Sequence, residues 1–171
     1  MANEYPRPPG ALVIGIGNAD RSDDAAGLIA ARRIKERVSE HCAVIENAGE
    51  GTSLMELWKN AGRVVVIDAA RSGAAPGKVR RFDAGVHPLP ASVFRGSTHA
   101  FSLPEAIELS RALQQLPRQL IVYGVEAHNF EAGSNLSPAI ESAMPQLVEC
   151  VLQELLDTNA SRGQKVPVVR S

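Results

Sequence analysis

The run of four β-branched residues from Val64 to Ile67 strongly limits how this 171-residue chain can fold. An unbroken run of this kind predicts a strand that is buried on both faces, as in a parallel sheet covered by helices. A second apolar strand pattern covers Ala11–Ile16, and amphipathic helical patterns stand between and after these strands. Alternating strands and helices favour right-handed crossovers and therefore an α/β fold.

The full pattern predicts five strands and four helices. The predicted strands are Ala11–Ile16, Cys42–Glu46, Arg63–Ile67, Lys78–Phe82 and Gln119–Val125. The predicted helices are Ala25–Val38, Ser53–Asn60, Leu103 to about Leu116, and a last helix that begins at Pro138 after the cap Ser137. Lys78–Phe82 follows the preceding strand through a short Gly/Pro turn, which is too short for a crossover. We therefore predict an α/β three-layer sandwich, with a mostly parallel, twisted sheet of about five strands, one antiparallel strand, and helices on both faces.

Several local signals accompany these helices. Ser102 and Glu105 form a capping-box pattern, and Pro104 stands in the first turn, where its missing N–H costs nothing. Pro145 is expected to kink the last helix or to move its start. The residues expected to face the core are Leu28, Ala31, Ile34 and Val38 in the first helix, Ala106, Leu109, Ala112 and Leu113 in the third, and Ile140, Leu147, Val151 and Leu155 in the last.

Length and composition fit one domain over residues 1–171, with a core at 11–156 and flexible tails at 1–9 and 157–171. A formal net charge of −1 provides no electrostatic basis for binding nucleic acid or an anionic membrane. No apolar run has the length of a membrane span, and residues 1–9 do not resemble a signal peptide. The two cysteines, Cys42 and Cys150, suit a reducing compartment. These features predict a cytoplasmic protein.

The first strand ends in Gly15-Ile16-Gly17 and is followed by the acidic pair Asp23 and Asp24. A dinucleotide-binding fold would place a third glycine soon after Gly17, and two acids at the helix start oppose a bound pyrophosphate. An aspartate at a helix start commonly caps the exposed amides, and one carboxylate suffices for that role. The second carboxylate is then available for chemistry.

Like Asp24, Asp68 and His99 stand where a predicted strand or helix meets a loop. Asp68 ends the predicted strand Arg63–Ile67, on the side of the sheet where open α/β folds bind ligands, although it could equally stabilise the following turn. His99 lies in the loop before the third helix. Asp24, Asp68 and His99 together form a usable ligand set for a borderline divalent ion, and they could also position and deprotonate a water molecule.

Other hydrolytic chemistries lack their motifs. The sequence has no Gly-x-Ser-x-Gly elbow and no His-Glu-x-x-His zinc-binding string. Neither Cys42 nor Cys150 has a suitable setting for a reactive thiolate. A site built from carboxylates and an imidazole remains.

The chain resembles the hydrogenase maturation endopeptidases, which trim a C-terminal extension from the large subunit of nickel-iron hydrogenases. The resemblance extends from about Ala11 to Leu155 and is carried by these strings: Gly15-Ile16-Gly17-Asn18, Asp23-Asp24-Ala25-Ala26-Gly27, Gly51-Thr52, Val66-Ile67-Asp68-Ala69, Pro76-Gly77, Ser97-Thr98-His99, Tyr123-Gly124-Val125-Glu126 and Asn135-Leu136-Ser137-Pro138. It implies an aspartic-type endopeptidase in which Asp24, Asp68 and His99 recognise nickel and carry the reaction. It also implies that the nickel is brought by the substrate, the large-subunit precursor, and is not held tightly by the isolated protein.

This chain departs from the family pattern at a few positions. Many relatives have Glu where Asp24 stands, and the usual Gly after the acidic pair is Ala25. An acidic residue common before a Gly-Gly-Thr-like turn is replaced, since this chain reads Gly49-Glu50-Gly51-Thr52. These changes concern specificity more than activity. Glu126 is interpreted as structural support near the site.

Two alternatives share part of this pattern. A receiver-like Mg²⁺-binding phosphoacceptor domain also has acids after its first and third strands, but it requires a lysine where this chain has Glu126. A non-catalytic, metal-dependent docking module for the precursor would share every motif with the peptidase. A cleavage assay distinguishes this docking module from the peptidase.

Overall fold

The structure, a computed structural model, describes residues 10–94 and 99–157. Its strands are β1 (Ala11–Ile16), β2 (Cys42–Asn47), β3 (Arg63–Ala70), β4 (Val79–Asp83) and β5 (Gln119–Glu126). Its helices are a 3-10 turn (Ser22–Ala25), α1 (Ala26–Lys35), α2 (Gly51–Trp58), α3 (Leu103–Ala112) and α4 (Pro138–Leu156). In this part of the chain no helix is both long and apolar enough to cross a membrane.

The five strands form one sheet in the order β2-β1-β3-β5-β4. All neighbouring pairs are parallel except β4 and β5, which are antiparallel. The prediction of a mostly parallel sheet with one antiparallel strand is therefore confirmed. The carboxyl ends of β1, β2, β3 and β5 all meet at one end of the sheet, which we call the C-terminal end.

The helices cover both faces of the sheet and complete the predicted three layers. Alternate residues of the strands point to opposite faces, as Val64 and Val65 in β3 illustrate. One face packs against α2 and α3, where Leu54, Trp58 and Ile107 are fully buried. The other face packs against α1 and α4, where the fully buried side chains include Ile34, Ile140, Met144, Leu147 and Val151.

Several predicted boundaries are wrong by a few residues. Helix α1 ends at Lys35 and not at Val38, which is only partly buried. Helix α2 begins at Gly51, two residues earlier than expected, because Glu50 caps it by accepting hydrogen bonds from the amides of Thr52 and Ser53. Strand β3 continues to Ala70, because its last residues pair with β5.

The predicted face of α3 is partly wrong. The capping box of Ser102 and Glu105 is present, but the helix ends at Ala112. Leu109 and Leu113 are 42% and 52% exposed, and Ala112 is exposed as well. The buried residues of α3 are Leu103, Ala106, Ile107 and Ser110. The Ser110 hydroxyl is buried because it accepts a hydrogen bond of 3.0 Å from the indole N–H of Trp58.

Helix α4 begins at Pro138 and runs without interruption through Pro145. Pro145 and Glu141 are both exposed, so water can satisfy the Glu141 carbonyl that the proline leaves without a partner. At the far end, the Arg63 guanidinium donates to the carbonyls of Leu155 and Asp157. Apart from Asp157, the predicted tails 1–9 and 157–171 lie outside the described residues.

Candidate functional site

A cavity of about 270 Å³ opens at the C-terminal end of the sheet. Its walls come from the residues that follow β1 and β2, from the last part of β3, and from the loop that leads into α3. Asp24, Asp68 and His99 all line this cavity. The first and last of these residues are 75 positions apart. The structure thus brings together a residue of the 3-10 turn, a residue of β3 and a residue of the loop before α3.

The backbone of the 3-10 turn positions Asp24. Its amide donates to the Arg21 carbonyl at 3.0 Å, and its carbonyl accepts from the Asn18 amide at 3.3 Å. A Cβ atom on Gly17 would lie 2.1 Å from the Asp24 carbonyl oxygen, so glycine is required for the turn to fold back this closely. Burial desolvates the Asp24 carboxylate and raises its pKa, although the Arg21 charge and the Asn18 amide act in the opposite direction.

Asp68 reaches the cavity from within β3. The pairing of β3 with β1 ends at Ile67, whereas its pairing with β5 continues to Ala70. Asp68 is therefore the first residue of β3 with no partner on the β1 side, where the cavity begins. Burial, together with the negative charge of Asp24, holds the pKa of Asp68 well above its usual value, while the Ala69 amide opposes this shift.

The N-terminus of α2 positions the segment that carries His99. The Gly51 amide donates to the Phe101 carbonyl at 2.9 Å. A Cβ atom on Gly51 would lie 2.4 Å from the Phe101 ring, so the two segments could not pack this closely with a larger residue. Hydrogen bonds from Thr52 and Ser53 lower the pKa of Glu50, and the nearby charge of His99 adds to this effect. His99 is partly buried and lies within the electrostatic influence of Glu50.

The donor set can bind a divalent ion, but it is not a preformed metal centre. Two carboxylates and an imidazole are suitable ligands for a borderline ion such as nickel. Within residues 10–94 and 99–157, however, no group of three His, Cys, Asp or Glu side chains is arranged to hold a metal ion.

Asp23 does not have the capping role expected of one acid of the pair. The 3-10 turn has no side-chain cap, so Asp23 does not cap its own helix. Its Oδ2 accepts from the amides of His128 and Asn129 at 2.9 and 2.8 Å and from the Ser137 hydroxyl at 2.8 Å. Its Oδ1 accepts from the Ser137 amide at 2.7 Å. Asp23 is completely buried and ties the turn beside the cavity to the loop between β5 and α4.

The same loop is attached to the residues just before Asp23. The Ser22 amide donates to the Gly133 carbonyl at 2.8 Å, and the Ser22 hydroxyl donates to the Glu131 carbonyl at 3.0 Å. The Gly133 amide in turn donates to the Asp20 carbonyl at 2.9 Å. These bonds offset the cost of the left-handed backbone at Ser22, where φ is +47°. The sequence contains no local signal for this attachment.

Glu126 does not line the cavity. Its carboxylate accepts from the Ser72 amide and hydroxyl at 2.7 and 2.8 Å and from the Gly73 amide at 2.9 Å. Glu126 thus fixes the connection between β3 and β4. This geometry agrees with its interpretation as structural support.

Comparisons with known proteins assign the chain to a family. The family model described as hydrogenase maturation protease matches residues 29–154. The hydrogenase expression/formation protein HupD of Thiocapsa roseopersicina is 26% identical over 150 residues, which cover 86% of this chain and 68% of HupD. The hydrogenase 2 maturation protease of Escherichia coli K12 is 24% identical over 151 residues, which cover 86% of this chain and 91% of the relative.

A solved structure agrees at the level of the fold. The hydrogenase maturating endopeptidase HybD from E. coli superimposes with a TM-score of 0.71 and 22% identity, over 88% of this chain and 94% of HybD. The family model spans more than half of the chain, and the fold is shared with a solved endopeptidase. The chain therefore belongs to the hydrogenase maturation protease family and is a hydrolase of the peptidase class.

Proposed function

We propose that this peptidase removes the C-terminal extension from the large-subunit precursor of a nickel-iron hydrogenase after sensing the nickel that the precursor carries. The observation that carries the proposal is the convergence of Asp24, Asp68 and His99 on one cavity. Family membership supports the class of reaction and the class of substrate.

Nickel recognition is assigned to all three side chains. Three ligands leave coordination positions open, and these positions suit an ion that arrives with ligands from the precursor. A site with open positions holds an ion less firmly than a closed four-ligand site, so the isolated protein is expected to bind nickel weakly. The nickel is therefore treated as part of the substrate.

Proton transfer is assigned to Asp68, which makes the reaction aspartic in type. A general base works best when its pKa approaches the working pH, and burial together with the Asp24 charge raises the pKa of Asp68 strongly. Burial also raises the pKa of Asp24, but the Arg21 charge and the Asn18 amide oppose that shift. In this scheme Asp68 takes a proton from a water molecule whose oxygen attacks the peptide carbonyl carbon. The same proton then passes to the leaving nitrogen as the C–N bond breaks.

The test is to incubate the purified protein with nickel-loaded and nickel-free large-subunit precursor from the same organism. Mass spectrometry should detect a C-terminal cut in the nickel-loaded precursor alone. Equal cutting of both forms would reject nickel sensing. Nickel-dependent binding without a cut would reject the peptidase assignment and support a docking module.

A further inference from the structure

Strand β2 forms one lateral edge of the sheet, and its outer side is open within the described residues. The Asn47 carbonyl accepts from the Gly17 amide at 3.1 Å, so the backbone of Asn47 faces β1. Backbone groups alternate in direction along a strand, and the N–H and C=O groups of Val44 and Glu46 therefore face away from β1. Among residues 10–94 and 99–157, none forms a hydrogen bond with these four groups.

The opposite lateral edge is protected in a way that β2 is not. Strand β4 reads Val79-Arg80-Arg81-Phe82-Asp83, so three of its five residues are charged. Charged side chains on an edge strand discourage the addition of another strand. Strand β2 reads Cys42-Ala43-Val44-Ile45-Glu46-Asn47, and its register with β1 is continuous and contains no bulge. Its one charged residue, Glu46, is bound by Arg32 at 2.7 and 2.9 Å.

The open edge leads directly to the cavity. Ala48 and Gly49, the two residues that follow β2, line the same cavity as Asp24 and Asp68. The side chain of Asn47 fixes this exit, because its Oδ1 accepts from the Gly49 amide at 2.7 Å and its Nδ2 donates to the Ser53 hydroxyl at 2.8 Å. An extended chain added along β2 would therefore end beside two residues of the cavity wall.

We propose that the outer edge of β2 binds an extended segment of the precursor as a sixth strand and thereby delivers the cleavage site to the cavity. The inference rests on the proposed function, since it names the surface that engages the same substrate. Val44 and Glu46 supply the backbone donors and acceptors. Recognition through backbone groups requires an extended conformation and little side-chain specificity, as in other cases of strand addition.

The test is the substitution Val44→Pro, which removes one outward N–H. It leaves the β1–β2 hydrogen bonds intact, because proline is tolerated on the solvent side of an edge strand. The KM for nickel-loaded precursor should rise by about tenfold, with kcat changed by less than about twofold, because the lost bond serves binding. The matched control is Val79→Pro on β4. The Lys78 carbonyl accepts from the Glu126 amide, so the backbone of Lys78 faces β5. The N–H of Val79, the next residue, therefore faces away from β5.

The outcomes distinguish this inference from the proposed function. If the parent protein cuts the precursor and Val44→Pro keeps the parent KM, the β2 surface is wrong while the peptidase assignment stands. A parent dimer that Val44→Pro dissociates would instead make this edge an interface between two copies of the chain. A parent protein that does not cut at all fails the proposed function.

Hydrogen exchange provides a second measurement that does not depend on the folding of a proline variant. The Asp68→Asn protein lacks the proposed base but keeps an amide oxygen that can still contact nickel, so it should bind precursor without cutting it. It is mixed with nickel-loaded precursor. Exchange of the Val44 and Glu46 amides should slow on binding, while exchange of the Val79 and Arg81 amides should not change. Equal exchange at Val44 and Glu46 with and without bound precursor would overturn the proposal.

Discussion

Asp23 and Asp24 are adjacent and chemically identical, yet the fold gives their carboxylates opposite environments. The carboxylate of Asp23 is completely buried and accepts four hydrogen bonds. Burial alone would raise the pKa of Asp23, but these bonds outweigh desolvation and lower it. Asp24 lines an open cavity, and burial raises its pKa because few donors compensate for it.

This comparison separates an acid that supports structure from an acid that is available for chemistry. A carboxylate whose oxygens already accept from backbone amides has little capacity left to bind a metal or move a proton. A partly desolvated carboxylate with unused acceptor capacity retains both possibilities. The predictions below should therefore affect activity at one position and stability at the other.

The largest effect is expected for Asp24→Asn, which removes the charge but keeps the volume. Cleavage of nickel-loaded precursor should fall by about 100-fold or more, since an essential acid or ligand is lost. The free energy of unfolding should not fall. A cleavage assay together with urea denaturation measures both quantities.

Asp20→Asn is the matched control for this variant. Asp20 lies in the same loop, is exposed, and does not line the cavity. Its substitution should leave the cleavage rate unchanged. An Asp24→Asn protein that cuts precursor as fast as the parent would show that the site assignment is wrong.

The second effect concerns stability, because Asp23 anchors the loop before α4 and does not cap a helix. Loss of a cap would cost about 1 kcal/mol. Asp23→Ala instead leaves three amides and one hydroxyl without their acceptor, and the expected loss in the free energy of unfolding is about 3–5 kcal/mol. Ser137→Ala, which removes only the hydroxyl donor, should cost about 1 kcal/mol. A loss of 1 kcal/mol or less for Asp23→Ala would contradict the anchoring role.

The third effect is that pH changes the contributions of Asp23 and Asp24 to the free energy of unfolding in opposite directions. The folded pKa of Asp23 is lowered, so its contribution to stability is present above the ordinary value of 3.8 and disappears as pH falls through the folded value. The destabilisation by Asp23→Asn should therefore be larger at pH 6 than at pH 3. The folded pKa of Asp24 is raised, so its ionisation costs stability as pH rises above 3.8.

Asp24→Asn should accordingly gain stability relative to the parent protein between pH 3 and pH 6. Urea denaturation of the parent and both asparagine variants across this range measures the two trends. Parallel trends would contradict the contrast between the two environments.

Much of the fold could be predicted from local patterns. The apolar runs located every strand, and β1 has the predicted bounds. The face of α3 could not be chosen in this way, because two overlapping stripes compete on that helix. Leu109 and Leu113 form the more apolar stripe, but the packing buries Ser110, whose hydroxyl binds the Trp58 indole. That partner belongs to a different helix and leaves no local signal near Ser110.

For the candidate site, the sequence could predict which residues converge but not how the two adjacent acids differ. Because parallel strands end together, residues after β1 and near the end of β3 could be expected at one end of the sheet, and Asp24 and Asp68 do line one cavity there. The division of labour between Asp23 and Asp24 could not be derived from residue type. The partners of Asp23 lie 105 to 114 residues further along the chain and depend on how the loop before α4 folds back.

Direct titration of the two carboxyl groups tests the central contrast. The 13C chemical shifts of the side-chain carboxyl carbons of Asp23 and Asp24 are followed by NMR from pH 2 to pH 8 in the parent protein. The account predicts that Asp23 titrates below 3.8 and Asp24 above it. Asp24 titrating at or below the midpoint of Asp23 would contradict it.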